Sequence, residues 1–192
     1  MDQADEDLPT LLATDLDYHF RQLVMLYQQR LYSFALRLIS SPLDAEDIVQ
    51  ETFLRSYHAL RSYPASKVRA LQLRQWLYTI TLNIFRNRRR KPEHPSISLD
   101  LSEDSPLLEI EDPSLGPDEE AYWHEWRREL EMHLATLAER YRVAVTLYYF
   151  EDLSYVEVAE LLNQPIGTVK AHVHRALRML HKALETQANG VR

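Results

Sequence analysis

Residues 154–184, SYVEVAELLNQPIGTVKAHVHRALRMLHKAL, contain the pattern that decides the fold of this chain. Ser154 and Glu157 have the spacing of a capping box, which predicts a helix that begins at this serine. The Asn-Gln-Pro sequence at 163–165 predicts a short turn, and apolar residues at helical spacing predict a longer helix over 166–184. Two helices joined so tightly, the second with a basic outer face, are typical of a helix-turn-helix.

The outer face of the second helix is the first candidate DNA-binding surface. No acidic residue occurs between Leu161 and Leu184, as contact with DNA phosphates requires. A packed pair of helices with a solvated basic face would show the same periodicity, so that alternative stays open. The candidate contact residues are Thr168, Lys170, Ala171, His172, Arg175 and Arg178.

Apolar residues at helical spacing predict three further helices in the first half of the chain. The first covers residues 18–39, and the second begins after Ser41, which can cap it and is followed by a proline. A loop is expected around residues 63–66. The third helix begins near Leu73 and ends in an arginine-rich segment at 86–91. Because no segment shows the alternation of a strand, the predicted fold class is all-α.

Charge is distributed very unevenly along the 192 residues, whose net charge is −7. Residues 1–17 contain six acidic residues and no basic one, whereas residues 18–91 have thirteen basic and four acidic, a balance of +9. Residues 92–120 contain ten acidic residues and no basic one, and the remainder has nine of each sign. A +9 block indicates a nucleic-acid partner better than the whole-chain charge does.

These blocks predict how the chain is organised. Residues 92–117 hold five of the nine prolines and little to bury, so they are expected to be an acidic, proline-rich linker. The linker would join two small helical domains, residues 18–91 and 118–186, of which the second contains the helix-turn-helix. An acidic N-terminal tail over residues 1–17 and a C-terminal tail over 187–192 complete the predicted layout.

Composition excludes several classes of protein. The chain has no cysteine, hence no disulfide framework and no thiolate nucleophile, and its three glycines do not form a phosphate-binding loop. No stretch approaches the roughly 18 apolar residues of a membrane span. The N-terminus is acidic where a signal peptide would be basic, so we expect a cytoplasmic protein without membrane insertion.

The third predicted helix combines aromatic rings with cations, a composition suited to stacking and neutralising a single nucleic-acid strand. Trp76, Tyr78 and Phe85 are the rings, although Trp76 lies at the edge of the apolar stripe and can equally belong to the core. The polar face is the better candidate for contact. The candidate residues of this helix are Arg74, Gln75, Thr79, Asn83, Arg86 and Arg88.

An acidic face on the second helix is the third candidate. Asp44, Asp47 and Glu51 repeat at intervals of three and four residues. A metal site, acid–base chemistry, a docking face for a protein and a solvated surface are all compatible with such a face. Nothing nearby completes a metal or catalytic site, and the histidines are scattered. The sequence therefore predicts no enzyme, no cofactor and no metal.

Five segments together resemble the extracytoplasmic-function group of bacterial sigma factors, proteins of the sigma-70 type. The resemblance covers about residues 18–184, and its motifs are specific as a series. The matching segments are DAEDIVQETF (44–53), WLYTITLN (76–83), LSYVEVAELL (153–162), PIGTVK (165–170) and HRA (174–176). The chain departs from the family pattern at Leu137-Ala138, where Leu-Pro is usual, and at Ala171-His172, where Ser-Arg is common.

The resemblance implies a role in promoter-specific transcription initiation, with core RNA polymerase and promoter DNA as partners. Asp44, Asp47, Gln50 and Glu51 would dock on the β′ clamp helices, and the polymerase β subunit would be a further contact. The third helix would capture a melted −10-type element, and the helix-turn-helix would contact a −35-type element as duplex. An anti-sigma factor is a further implied partner.

Two rival classes remain. A self-sufficient DNA-binding regulator would normally dimerise, but the chain has no heptad stripe and no dedicated dimer helix. An interaction protein that binds polymerase without DNA has no use for the basic outer face of the last helix. Binding of core polymerase followed by specific initiation separates all three classes.

Overall fold

The computed structural model describes residues 3–90 and 117–190 of the chain. Both ranges are helical and neither contains a strand, which confirms the all-α prediction. The helices form two units, one in each range. The predicted linker, residues 92–117, lies outside the described residues except for Pro117, where a helix begins. No helix in the two ranges has the length and hydropathy to cross a membrane.

The described part of the N-terminal unit, residues 3–90, contains five helices. α2, α3 and α5 pack against one another around a core that includes Tyr27, Phe34 and Tyr78. The rings of Phe34 and Tyr78 meet edge to face with their centroids 5.0 Å apart. The helices are α1 (Gln3–Thr14), α2 (Leu16–Ile39), α3 (Pro42–Ser62), α4 (Ala65–Arg69) and α5 (Leu73–Arg90).

Side-chain caps fix where α2 and α3 begin. Asp15 accepts a hydrogen bond from the Tyr18 amide at 3.0 Å, so that one residue separates α1 from α2. Ser41 caps α3 as predicted and accepts from the Asp44 amide at 3.4 Å. Ser40, which directly precedes Ser41, ends α2 in the left-handed conformation, with φ of 58°. The junction between α2 and α3 is therefore a two-residue corner with defined backbone angles.

α3 and α5 approach each other at two buried threonines. The hydroxyl oxygens of Thr52 and Thr81 lie 3.2 Å apart, and both side chains are fully buried. Each hydroxyl is also within hydrogen-bond distance of the carbonyl four residues earlier in its own helix, at 2.7 Å and 2.9 Å. Short side chains at this crossing allow the two helices to pack closely, and their polar atoms remain satisfied.

The N-terminal segment corrects one prediction. Residues 1–17 were expected to form an acidic tail, but Gln3–Thr14 are helical and α1 packs against α2 and α4. Leu8 and Leu12 are four residues apart, share one face of α1 and are buried. The acidic residues dominated the charge count, whereas these leucines provide the apolar surface that makes the segment part of the unit.

The region between α3 and α5 also differs from the prediction. A loop was expected around residues 63–66, but α4 begins at Ala65, directly after Pro64. Val68 of α4 is buried, on the side where α1 packs. A single buried valine in a five-residue helix gives no periodic signal, so the helix depends on its contact with α1 rather than on local sequence.

The C-terminal unit contains four helices and one π-helical turn. Its described core lies between α6, α7 and α9 and includes Leu134, Tyr141 and Ala176. α9 continues four residues past the predicted domain end at residue 186, because the Gln-Ala pair at 187–188 favours a helix. The elements are α6 (Pro117–Thr136), α7 (Glu139–Val145), the π turn (Thr146–Phe150), α8 (Tyr155–Leu162) and α9 (Ile166–Gly190).

The helix-turn-helix forms as the sequence predicts. The Ser154 amide donates to the Glu157 carboxylate at 2.7 Å, and the Glu157 amide donates to the Ser154 hydroxyl at 3.3 Å, which completes the capping box. Asn163 ends α8 with φ of 51°. Before the helix-turn-helix, α7 changes at Thr146 into the π turn, which is closed by a bond from the Glu151 amide to the Thr146 carbonyl at 3.2 Å.

Replacement of Leu12 tests whether α1 is part of the N-terminal unit. We expect Leu12→Ala to destabilise the unit by about 2–5 kcal/mol, because a leucine that is 3% exposed leaves a cavity. Hydrogen exchange of the full chain would show faster exchange in α1 and α4, with α9 as internal reference. Leu43→Ala is the matched control, because Leu43 is 68% exposed. Equal exchange in the two variants would contradict the packing role of α1.

Candidate polymerase and DNA interfaces

α3 presents its acidic face at the surface. Asp47 and Gln50 are exposed, and Asp44 and Glu51 are half-buried on the same side. Leucines also reach the surface of this helix: Leu43 is 68% exposed and Leu54 59%. Within the two described ranges no three His, Asp or Glu side chains converge as ligands for a metal ion. Acidic groups beside exposed leucines form a surface suited to contact with another protein.

Arg88 joins this acidic face from α5. Its guanidinium lies 3.3 Å from the Asp47 carboxylate and 3.4 Å from the Glu51 carboxylate. Arg55 also pairs with Glu51, one turn along α3. Part-exposed pairs of this kind contribute about 0–1 kcal/mol each, so they can be exchanged for contacts with a partner. We define the docking surface as Asp44, Asp47, Gln50, Glu51 and Arg88.

Arg88, which the sequence analysis grouped with the strand-binding residues of α5, also contacts the acidic face of α3. Arg88 lies about 40 residues from its carboxylate partners, and the pairing arises because α3 and α5 pack side by side. An arginine at the end of a basic segment has the same sequence pattern whichever way it points. Its pairing with the carboxylates of α3 is visible only from the crossing of the helices.

The polar face of α5 is partly accessible. Asn83 is exposed, and Arg74, Gln75, Thr79 and Arg86 are half-buried. The Thr79 hydroxyl donates to the Gln75 carbonyl at 2.8 Å, so its proton is already in use. Asn83 is therefore the member of this group that is most available to a ligand.

Two of the three aromatic candidates belong to the core. Tyr78 and Phe85 are fully buried and cannot stack on a base. Trp76 is half-buried, and its ring centroid lies 6.3 Å from that of Tyr63. Lys67 of α4 places its ammonium 3.5 Å from the centre of the Tyr63 ring. This cluster of two rings and a cation is suited to an unpaired base, and no periodic pattern in the sequence indicates it.

α9 exposes most of its predicted contact residues. Thr168, Lys170, Ala171, Arg175 and Arg178 are all accessible on the outer side of the helix-turn-helix. Lys170 also lies over an aromatic ring, with its ammonium 5.6 Å from the centre of Tyr155. Tyr155 in turn stacks on Tyr148 with centroids 4.1 Å apart. The exposed part of α9 is thus basic and bordered by tyrosines.

His172 is the exception among these residues. It is half-buried, and its ring meets that of Tyr141 edge to face at 5.5 Å. Burial, together with the charge of Arg140, lowers the pKa of His172. The imidazole is therefore neutral at physiological pH and adds no positive charge to α9.

Family comparison matches both units to one group of proteins. Residues 23–93 match the family described as Sigma-70 region 2, and residues 127–180 match Sigma-70, region 4. The chain is 29% identical over 170 residues to the ECF RNA polymerase sigma factor SigW of Bacillus subtilis, with 86% of this chain and 88% of the relative covered. It is 30% identical over 177 residues to the RNA polymerase sigma-H factor of Pseudomonas aeruginosa, with 86% of each covered.

Solved structures show the same fold. CnrH, in complex with the cytosolic domain of CnrY, superposes with a TM-score of 0.67 at 24% identity over 96% of this chain and 99% of that one. RpoE of Bartonella quintana, in complex with the anti-sigma factor NepR, gives 0.64 at 24% identity over 86% and 96%. With a Sigma-70 region in each unit and relatives matched over most of their length, the chain belongs to the extracytoplasmic-function sigma factors, which direct promoter-specific transcription initiation and are not enzymes.

Proposed function

We propose that this chain performs the work of its family through three surfaces: the docking surface, the accessible face of α5 with its neighbouring rings, and the outer face of α9. The observation that supports this assignment best is the separation of charge between α3, whose outer face is acidic, and α9, whose outer face is basic. The domain bounds we propose are residues 18–91 for region 2 and 118–186 for region 4, with the acidic linker between them.

The docking surface is assigned to the β′ clamp helices of core RNA polymerase. Its acidic groups surround exposed leucines, as at interfaces where charge steers association and apolar area holds the complex. Glu51 and Asp47 retain Arg88 as a neighbour in the free chain, so their charge is partly balanced until a basic partner surface replaces it. Association with core polymerase also places the chain in the cytoplasm, where transcription occurs.

Charge reversal on α3 tests the docking surface. We expect Asp47→Lys combined with Glu51→Lys to weaken binding of core polymerase strongly, because like charges facing an interface cost several kcal/mol. Exposed substitutions seldom change stability by more than about 0.5 kcal/mol, so the fold should persist. Glu46→Lys is the control. Glu46 is exposed on α3, but its charge acts on Tyr32 of α2, whose pKa is raised by burial and by Glu46. A pull-down in which the double variant retains normal affinity would refute the docking assignment.

The accessible face of α5 is assigned to the melted −10-type strand. Asn83 supplies an exposed amide, Arg74 and Arg86 supply charge for phosphates, and Gln75 and Thr79 border them. Trp76 and Tyr63 add ring faces on which an unpaired base can stack, which duplex DNA does not offer. This surface therefore favours single-stranded over duplex DNA.

The outer face of α9 is assigned to the −35-type element as duplex. A helix of this kind enters the major groove, where arginine makes bidentate contact with a guanine edge. Arg175 is exposed at the centre of the face and is the candidate for a base contact, whereas Lys170 and Arg178 are placed for phosphates. Thr168, Ala171 and His172 complete the set, and the neutral His172 contributes shape rather than charge.

Duplex and bubble templates distinguish the two DNA surfaces. We expect Arg175→Ala to weaken recruitment to duplex promoters and to relax preference at one upstream base, at a cost of about 1–3 kcal/mol. Asn83→Ala should leave duplex binding nearly intact and reduce strand opening, a defect that a pre-melted template bypasses. Transcription by each variant holoenzyme on both templates is the measurement. Rescue of Arg175→Ala by the bubble, without rescue of Asn83→Ala, would mean that the two surfaces are assigned the wrong way round.

We also propose an anti-sigma factor as a regulatory partner. The related RpoE fold forms a complex with the anti-sigma factor NepR, and CnrH forms one with the cytosolic domain of CnrY. An inhibitor that covers the exposed leucines of α3 would compete directly with core polymerase. Direct binding of the inhibitor that is lost in the Asp47→Lys, Glu51→Lys variant and kept in Glu46→Lys would support the docking surface as its binding site.

A further inference from the structure

Two arginines from different helices converge on one tyrosine beside the DNA-facing side of α9. Tyr141 of α7 is 7% exposed and belongs to the core of the C-terminal unit. The guanidinium carbon of Arg140 lies 4.7 Å from the centre of its ring, and that of Arg175 lies 5.8 Å from it. Both arginines are exposed, so the buried ring supports two cations at the surface.

Both cations also affect the pKa of the tyrosine hydroxyl. A hydrogen bond from Arg140 is the largest influence on Tyr141 and lowers its pKa; the charges of Arg140 and Arg175 and a hydrogen bond from Arg175 act in the same direction, while burial opposes them. Each guanidinium has five N–H donors, so a bond to the hydroxyl leaves the others free to reach a ligand. The tyrosine thus fixes two flexible side chains without neutralising either.

His172 fills the space on the α9 side of this ring. It precedes Arg175 by three residues, which places both on one face of α9 toward Tyr141. Its Nδ1 atom is buried and has no hydrogen-bond partner among the described residues, and burial lowers its pKa. A neutral imidazole here avoids a third positive charge beside the arginines and keeps Arg140 at the border of the DNA-facing side.

We propose that Arg140 is a further DNA-binding residue, outside α9, that contacts a backbone phosphate next to the −35-type element, and that Tyr141 is a positioning residue that aligns Arg140 and Arg175 together. The proposal rests on the assignment of α9 to duplex DNA. Two guanidinium groups held on one phenol repel each other, and a phosphate between or beside them relieves that repulsion. Bidentate contact with phosphate oxygens is the geometry for which guanidinium is suited.

Salt dependence of duplex binding tests the contact made by Arg140. The probe is a duplex promoter fragment, chosen by mapping transcription starts after overexpression of the chain, and the protein is full-length chain in holoenzyme. We expect Arg140→Ala to weaken binding about tenfold at low salt, as loss of a charge-assisted hydrogen bond does. The slope of log K against log salt should fall by about 0.9, the value for one phosphate contact. Arg128→Ala, which removes an exposed arginine from α6, is the matched control.

Tyr141→Phe tests the positioning role, because it keeps the buried ring and removes only the hydroxyl. We expect it to weaken binding about three- to tenfold and to lower the salt slope in the same way as Arg140→Ala. In the Arg140→Ala background, Tyr141→Phe should weaken DNA binding only through Arg175. The effects of the two substitutions on binding should therefore not add. A purely structural role would lower stability but would leave the salt slope unchanged.

The outcomes separate this proposal from the one on which it rests. An Arg140→Ala variant with the affinity and slope of Arg128→Ala would overturn the phosphate contact. A Tyr141→Phe variant with wild-type slope beside a defective Arg140→Ala variant would overturn the positioning role alone. If the wild-type holoenzyme binds the promoter fragment no better than a scrambled duplex, and Arg175→Ala changes nothing, the assignment of α9 itself fails.

Discussion

The close packing of α3 against α5 determines how the acidic face of α3 lies relative to the candidate residues of α5. The crossing depends on Thr52 and Thr81, whose hydroxyls meet at 3.2 Å and remain satisfied within their own helices. Larger side chains at these positions would force the helix axes apart. The acidic face of α3 and the end of α5 would then separate, and Arg88 would lose contact with Asp47 and Glu51. The buried threonine pair therefore sets the spacing between the acidic face of α3 and the end of α5.

This spacing explains how surfaces of opposite charge coexist on one small unit. Residues 18–91 have a charge balance of +9, yet the docking surface within them is acidic and uses one of those basic residues as an internal counter-ion. In the C-terminal unit the arrangement differs, because Arg140 and Arg175 share a neutral phenol. A guanidinium beside a neutral ring attracts phosphates more strongly than one whose charge is balanced by carboxylates, so the contacts of each arginine influence its choice of partner.

Local signals in the sequence were sufficient for much of this architecture. The Ser41 cap, the Ser154–Glu157 capping box and the turn at 163–165 depend on neighbouring residues, and all three form as predicted. Helical periodicity likewise identified the buried faces of α2, α3 and α9. These features are determined over one or two turns of helix. Over that distance, residues with helical spacing in the sequence are also neighbours in space.

The features that the sequence could not provide all involve residues far apart along the chain. The pairing of Arg88 with α3, the support of α4 by α1 and the convergence of Arg140, Tyr141 and Arg175 depend on how helices cross. Tyr78 and Phe85 could not be assigned to the core from the sequence either, because a ring suited to stacking on a base has the same sequence pattern as one that fills a core. The charge count predicted an acidic tail that included residues 3–14. Two buried leucines make this segment part of the packed unit despite the acidic residues around them.

Within residues 3–90 and 117–190, three residues other than glycine have positive φ angles: Ser40 with 58°, Asp152 with 48° and Asn163 with 51°. Such a conformation costs a non-glycine residue about 1–2 kcal/mol, while a whole domain is stable by only about 5–15 kcal/mol. A smaller reserve of stability raises the fraction of molecules that open and become substrates for cellular proteases. Each of these corners therefore uses part of a small reserve of stability, so further strain at Ser40, Asp152 or Asn163 would shift the balance toward the open, protease-sensitive form.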